Sequence, residues 1–202
     1  SGDHDLLNEF YIPCLKHADR YDRAAGYFDS KSLTLAAQGV SKLILNDGKM
    51  RLIASPRLSP QDIEVLEKIA NDEEVDQKES DIIEDALHRG ITAEQFSDFL
   101  KQDRFKCMAW MLEEGLLKIK IAYLRDTDES NPFSHYHEKI GVFTDRSGNK
   151  AAFSGSINET ELGWTDNYES FNVYPNWRSG LDMLASEKQE HFQNLWDNDD
   201  SR

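Results

Sequence analysis

Apolar residues in the first 30 positions recur first at helical spacing and then at strand spacing. Helical spacing runs over 6–15, and Pro13 marks the point where we expect this helix to be strained or to end. The charged stretch 19–23 follows, and after it the apolar residues 24–28 predict a short strand. The chain therefore opens with a helix and a strand.

A second helix and a second strand follow at once. Apolar residues at helical spacing lie between 33 and 44, with Ser30 or Ser32 as the expected N-cap and Asn46-Asp47-Gly48 as the stop. Residues 50–54 predict the next strand. A strand, a helix and a strand in this order predict a β-α-β unit, whose two strands are parallel.

Residues 59–115 show a different pattern. Short apolar stripes at helical spacing alternate with highly charged connections, so we interpret 59–115 as a helical insertion between two sheet strands. Its charges are interpreted as a solvated face, with partner docking as the alternative. Strand spacing resumes after it, and we expect strands over 117–123, 136–144, 151–154 and 170–174, a hairpin turn over 145–150 and a closing helix over 181–195. The predicted fold class is α/β.

Composition narrows the class of protein further. With 202 residues, 39% hydrophobic and 30% charged, the chain fits a single soluble domain over 1–202. No apolar run approaches the ~20 residues of a membrane span, and the start lacks a signal-peptide pattern. Cys14 and Cys107 are too few for a disulfide framework, so we expect a cytoplasmic protein with two reduced cysteines and no membrane contact. The net charge of −15 opposes nucleic-acid binding unless basic residues gather in one place.

The residues that suggest chemistry lie in the second half. Because His137 and Lys139 are two apart in a predicted strand, their side chains project together. Histidine acts as a nucleophile or an acid at neutral pH, and lysine binds a phosphate oxygen. Gly155 and Ser156 can bring backbone N–H groups and a hydroxyl to the same oxygen. There are two alternatives. His137 and Lys139 are neighbours by chance, or His135 and His137 together bind a metal cation, which the positive charge of Lys139 disfavours.

The pattern His137-x-Lys139 followed by Gly155-Ser156-x-Asn158 resembles the signature of the phospholipase D superfamily. The nearer resemblance is to the bacterial nuclease branch, which includes metal-independent restriction endonucleases and phospholipase-D-like domains attached to helicases. The similarity is strong over about 135–175 and includes 137–141, 153–160, 163–164 and 167–170. It implies a phospholipase-D-like mixed sheet flanked by helices, into which the β-α-β unit fits.

The resemblance also implies a site. Its catalytic residues are His137, Lys139, Asn158 and Glu169, its substrate-binding residues are Gly155 and Ser156, and it needs no metal and no cofactor. The aspartate that the family usually has five residues after the lysine is replaced by Thr144, and we interpret the following Asp145 as a turn residue. One histidine attacks phosphorus and a second protonates the leaving oxygen, while lysines and asparagines hold the non-bridging oxygens. Glu169 would orient His137.

These implications predict a hydrolase, namely a metal-independent phosphodiesterase that acts as a nuclease on DNA within a larger restriction, defence or helicase protein. The chain has a single His-x-Lys motif, so we expect a homodimer with a shared active site, formed through surfaces between Trp164 and Trp177. We expect Lys139 to form a basic cleft with Lys118 or Lys120 and with Arg125. The alternatives are a lipid phosphodiesterase and an inactive interaction module, which the net charge favours.

Overall fold

A computed structural model of the protein describes residues 5–26, 28, 36–54, 110–112, 114–122, 136–158 and 170–198. In chain order these contain a π-helical turn Leu7–Tyr11, helix α1 Ile12–His17, strand β1 Arg20–Ala25, helix α2 Ala37–Leu45, strands β2 Lys49–Ala54, β3 Leu117–Ile121, β4 Ile140–Thr144, β5 Lys150–Gly155 and β6 Phe171–Pro175, and helix α3 Asp182–Asp197. Most of the predicted insertion 59–115 and the predicted caps Ser30 and Ser32 lie outside the described residues; 110–112 are helical.

The strands of the described part form one six-stranded mixed sheet in the order β3-β2-β1-β4-β5-β6. β1, β2 and β3 are parallel, which confirms the predicted β-α-β unit, and β4, β5 and β6 continue the sheet in antiparallel fashion. Ile140 at the start of β4 pairs with Ala24 near the end of β1 and with Ser154 near the end of β5. The residues that follow β1, precede β4 and follow β5 therefore meet at one edge of the sheet, the edge formed by the strand ends and not by an outer strand.

Helices cover both faces of this sheet. The π-helical turn, α1 and α2 lie on one face, where the Tyr21 and Phe143 rings stack with centroids 4.3 Å apart. Helix α3 covers the other face, where Phe192 is fully buried with Val142. Burial of each such side chain stabilises the fold by about 1.5–3 kcal/mol. This architecture confirms the predicted α/β class and the predicted mixed sheet flanked by helices.

The first strand begins earlier than the sequence pattern predicts. β1 is formed by Arg20–Ala25 and so begins before the predicted start at residue 24, which leaves Asp22 and Arg23 of the charged stretch fully buried. The Asp22 carboxylate accepts two hydrogen bonds from Arg51, from Nε at 2.7 Å and Nη2 at 2.8 Å. The prediction was wrong because a buried charge is tolerated once it is paired, and the partner lies in the next strand.

Two other boundaries also differ from prediction. Pro13 does not end the opening helix, because it lies in the first turn of α1, where a missing N–H costs no helical hydrogen bond. The strand expected over 136–144 begins only at Ile140, where the described ladder with β1 ends at the pair Ala24–Ile140. His137 and Lys139 therefore lie in the extended segment before β4.

The β4–β5 hairpin confirms the interpretation of Asp145. Its carboxylate accepts the backbone N–H groups of Ser147 and Asn149 at 2.8 and 2.9 Å and the Asn149 side-chain amide at 2.8 Å. These hydrogen bonds, led by the Asn149 side chain, lower the pKa of Asp145 from its usual 3.8. Asp145 is thus a turn residue, and β4 separates it from His137.

Among the described helices, none combines the length and hydrophobicity needed to cross a bilayer.

Candidate active site

His137 and Asn158 come together at Gly26, at the edge of the sheet where β1 and β5 end and β4 begins. A Cβ placed on Gly26 would lie 3.3 Å from Cδ2 of His137, 3.3 Å from Oδ1 of Asn158 and 3.3 Å from the Tyr136 carbonyl oxygen. The histidine ring and the amide therefore lie on the same small patch of backbone. His137 is exposed, so its ring can be reached from solvent.

Lys139 lies beside His137 with its ammonium held at the histidine backbone. Its Nζ donates to the His137 carbonyl oxygen at 3.0 Å, and the residue is only 6% exposed. The Lys139 carbonyl oxygen accepts a long hydrogen bond of 3.4 Å from the Gly155 N–H, which links the segment to the end of β5. The structure thus brings His137, Lys139 and Asn158 to one edge.

Gly155 and Ser156 contact the chain that leads into β6. A Cβ on Gly155 would lie 2.3 Å from the Ser170 carbonyl oxygen, so no other residue fits there without a shift of backbone. The Ser156 N–H donates to the same oxygen at 3.0 Å, and Ser156 Oγ accepts the Ser170 N–H at 3.1 Å. These contacts fix the residue directly after Glu169. Glu169 itself, His135 and Trp164 lie outside the described residues.

Glu138 points to the opposite face of the sheet and binds α3. His191 Nε2 lies 2.9 Å from both Glu138 carboxylate oxygens, and the Tyr136 hydroxyl lies 3.5 Å from one of them. This pair anchors the segment between His137 and Lys139 to the helix. The alternation of side chains around His137 places Glu138 on the far face, but nothing local in the sequence indicates that His191 is its partner.

Arg23 is the buried cation that sequence reasoning missed at this edge. Its Nη2 donates to the Ile157 carbonyl oxygen, and its Nη1 donates to the Ala24 carbonyl oxygen at 3.2 Å. Lys120, by contrast, does not join a cleft with Lys139: its Nζ binds the Trp196 carbonyl oxygen on α3, and its strand lies at the far edge of the sheet. Lys118 lies two residues before Lys120, on the same face of the same strand, so the predicted contribution of Lys118 or Lys120 to the basic cleft is wrong. Arg125 lies outside the described residues.

The described part contains no group of three His, Cys, Asp or Glu side chains placed to hold a metal ion. The atoms gathered around Gly26 are instead a histidine ring and a side-chain amide, with a lysine ammonium at the histidine backbone. Such groups suit phosphate, because an ammonium and an amide N–H donate hydrogen bonds to anionic oxygens while a neutral imidazole nitrogen can attack phosphorus.

Comparison with solved structures relates this geometry to a known fold. The crystal structure of phosphatidylserine synthase from Haemophilus influenzae Rd KW20 superposes with a TM-score of 0.51 at 17% identity, over 93% of this chain and 35% of that one. The chain has the phospholipase-D-like fold. Yeast tyrosyl-DNA phosphodiesterase matches less well, with a TM-score of 0.41 at 10% identity over 87% of this chain and 35% of that one.

The chain spans about a third of the length of these solved structures, 35% in each case. The sequence itself matches no family model and no curated protein. The likeness therefore establishes the phospholipase-D-like fold. The chemistry at the edge where the strands end depends on the residues found there.

Proposed function

We propose that the chain is a metal-independent phosphodiesterase, and specifically a nuclease, with His137 as its nucleophile. The observation that supports this most is the meeting of the His137 ring and the Asn158 amide at Gly26, with the Lys139 ammonium bound to the His137 carbonyl oxygen. The shared fold and the order of the motifs along the chain are consistent with this assignment.

In the proposed reaction a ring nitrogen of His137 attacks phosphorus, and the bond from phosphorus to the leaving oxygen breaks. A second histidine protonates that oxygen. Water then attacks the phosphohistidine and gives a proton to the second histidine, while the bond from phosphorus to nitrogen breaks, which frees His137 and releases a phosphate monoester. Lys139 and Asn158 donate hydrogen bonds to the non-bridging oxygens as their charge grows, and Glu169 orients the nucleophile.

The second histidine is proposed to come from another copy of the chain. The chain contains one His-x-Lys motif, and a two-fold axis at the site would place His137 of both subunits on one phosphate. Strand β6 and the turn after it support this, since Val173 is 37% and Trp177 61% exposed there. Two Lys139 side chains would then share one cleft and give it local positive charge.

The dimer is tested by mass and by mixing. Sedimentation across a dilution series should show a dimer, and His137→Ala mixed in equal amount with wild type should lower activity per wild-type subunit to about half, because mixed dimers lack one histidine. A strictly monomeric enzyme with full activity, or mixed dimers with undiminished activity per wild-type subunit, would refute the shared site.

The reaction is tested with labelled DNA and RNA, single- and double-stranded, in excess EDTA. Cleavage should persist in the chelator, and His137→Ala should abolish turnover, while Lys139→Ala should lose ~10²–10³ in rate. The matched control is His17→Ala, which removes an exposed histidine at the end of α1. Magnesium-dependent cleavage that EDTA abolishes would overturn the mechanism, as would activity in His137→Ala above about a hundredth of wild type.

The whole protein is proposed to be larger than this chain, a restriction, defence or helicase protein whose other parts supply most of the substrate binding. The net charge of −15 supports this, because an acidic domain binds a polyphosphate weakly and in a salt-sensitive way. Filter binding of DNA to the isolated chain should therefore be weak and fall steeply with salt. Tight, salt-insensitive binding would contradict the proposal.

A lipid phosphodiesterase is the second candidate, favoured by the fold shared with a phosphatidylserine synthase. The same EDTA-treated protein is incubated with phospholipid vesicles, and released headgroup is measured beside nucleic-acid cleavage. Headgroup release that depends on His137, without cleavage of any nucleic acid, would replace the nuclease proposal. Activity on neither substrate would favour an interaction module.

A further inference from the structure

Arg23 is a buried arginine in the middle of the sheet. The residue is 0% exposed although its side chain is charged. It lies in the central strand β1, opposite Gly141 of β4. Gly141 in turn lies opposite Phe153 of β5. Burying a guanidinium costs free energy unless acceptors in the fold bind its N–H groups.

The absence of a side chain at Gly141 makes room for the Phe153 ring, on which the Arg23 side chain packs. A Cβ on Gly141 would lie 2.1 Å from Cε1 and 2.2 Å from Cζ of Phe153, so the ring occupies the space above the glycine. The Arg23 guanidinium carbon lies 5.1 Å from the centre of that ring. The Arg23 side chain thus packs on the Phe153 ring and reaches the loop after β5.

Arg23 binds both chain segments that meet at the candidate site. Nη2 donates to the carbonyl oxygen of Ile157, which is 1% exposed and directly precedes Asn158. Nη1 donates at 3.2 Å to the carbonyl oxygen of Ala24, two residues before Gly26. The guanidinium therefore links the loop that carries Asn158 to the strand end where that amide meets the histidine.

We propose that Arg23 is a positioning residue, which fixes the Ile157 carbonyl and thereby holds the Asn158 amide beside His137. The inference rests on the proposed function for its effect on rate, but its structural part does not. The rigid fork of an arginine presents donors to two carbonyls at once, whereas a lysine ammonium acts as a single point charge on a flexible stem. The buried Arg23 of β1 thus supports the loop after β5 that carries Asn158.

The kinetic test is a double-mutant cycle between Arg23 and Asn158. Arg23→Met keeps an apolar stem and removes both donors, so kcat should fall about 10- to 100-fold, as misplacement of a catalytic group by up to about 1 Å predicts. KM should change much less. In an Asn158→Ala background the same substitution should change kcat little, because the group that Arg23 positions is gone. Equal losses of kcat in both backgrounds would overturn the proposal.

A second readout needs no activity and uses Arg23→Lys, which keeps the charge if Arg23→Met fails to fold. The side-chain amide signals of Asn158, assigned by their loss in Asn158→Ala, are followed by ¹⁵N NMR. They should shift in Arg23→Lys and stay in place in Arg51→Lys, a control that alters an arginine bound to Asp22 instead. Unchanged Asn158 signals in Arg23→Lys refute the positioning role, even if wild type cleaves no phosphodiester and the proposed function fails separately.

Discussion

Gly26→Ala adds a single methyl group where the two proposed catalytic side chains meet. The new Cβ would lie 3.3 Å from Cδ2 of His137, from Oδ1 of Asn158 and from the Tyr136 carbonyl oxygen. Carbon atoms normally approach other heavy atoms no closer than about 3.5 Å, so each neighbour has to move by a few tenths of an ångström. The ring and the amide are thus pushed apart.

The size of the effect on rate follows from how narrowly a catalytic group must be placed. A misplacement of about 1 Å can cost about 10² in rate, so a shift of a few tenths of an ångström predicts a loss in kcat of about 3- to 10-fold. Stability should change little. Gly26 is not in the left-handed region, so alanine restricts the unfolded chain and stabilises by about 0.4–1 kcal/mol, which offsets the crowding.

The assay compares kcat on the best-cleaved substrate with thermal unfolding of the same preparation. The control is Gly148→Ala in the β4–β5 turn, where φ is +82° and nothing lies within 4 Å of the added Cβ. That variant should lose about 1 kcal/mol of stability, because alanine is strained at this φ, and keep its kcat. Full kcat in Gly26→Ala, or a loss of activity no larger than its loss of folded protein, would refute the geometry inferred for the site.

Three further predictions concern the rest of the chain. Glu138→Gln and His191→Ala each break the partly exposed pair of these two side chains and should each lower the free energy of unfolding by about 1 kcal/mol in thermal melts. The double variant should lose no more than either single variant, and additive losses would show that the two side chains do not act together. Partial burial raises the pKa of the Cys14 thiol to about 12, so in a Cys107→Ser variant iodoacetamide should label it much more slowly in the native protein than after unfolding, and equally fast labelling of both would contradict this. Folding lowers the pKa of Asp145 from 3.8, so its stabilising effect is complete above pH 3.8 and is lost as the pH falls through the folded pKa. The difference in melting temperature between wild type and Asp145→Ala should therefore shrink in acid. A difference that grows in acid would contradict the lowered pKa.

The periodic parts of the fold could be predicted from the sequence. Spacing alone indicated helix α2, its stop at Asn46 and the parallel strand after it, because helix and strand periods are local properties of the chain. The hairpin turn with Asp145 was equally local, since its hydrogen bonds reach no more than four residues along the chain. The candidate residues His137 and Asn158 were nominated from the sequence, but their meeting was not visible there.

Only the tertiary structure decided which charged residues are buried and what they bind. Asp22 and Arg23 belong to the charged stretch before the predicted strand, and their partners are Arg51 in the next strand and the Ile157 carbonyl 134 residues away. The contact of His191 with Glu138 spans 53 residues in the same way. A buried charge is stable only where the fold brings a partner to it, and that pairing depends on strand order and register, which no local pattern encodes.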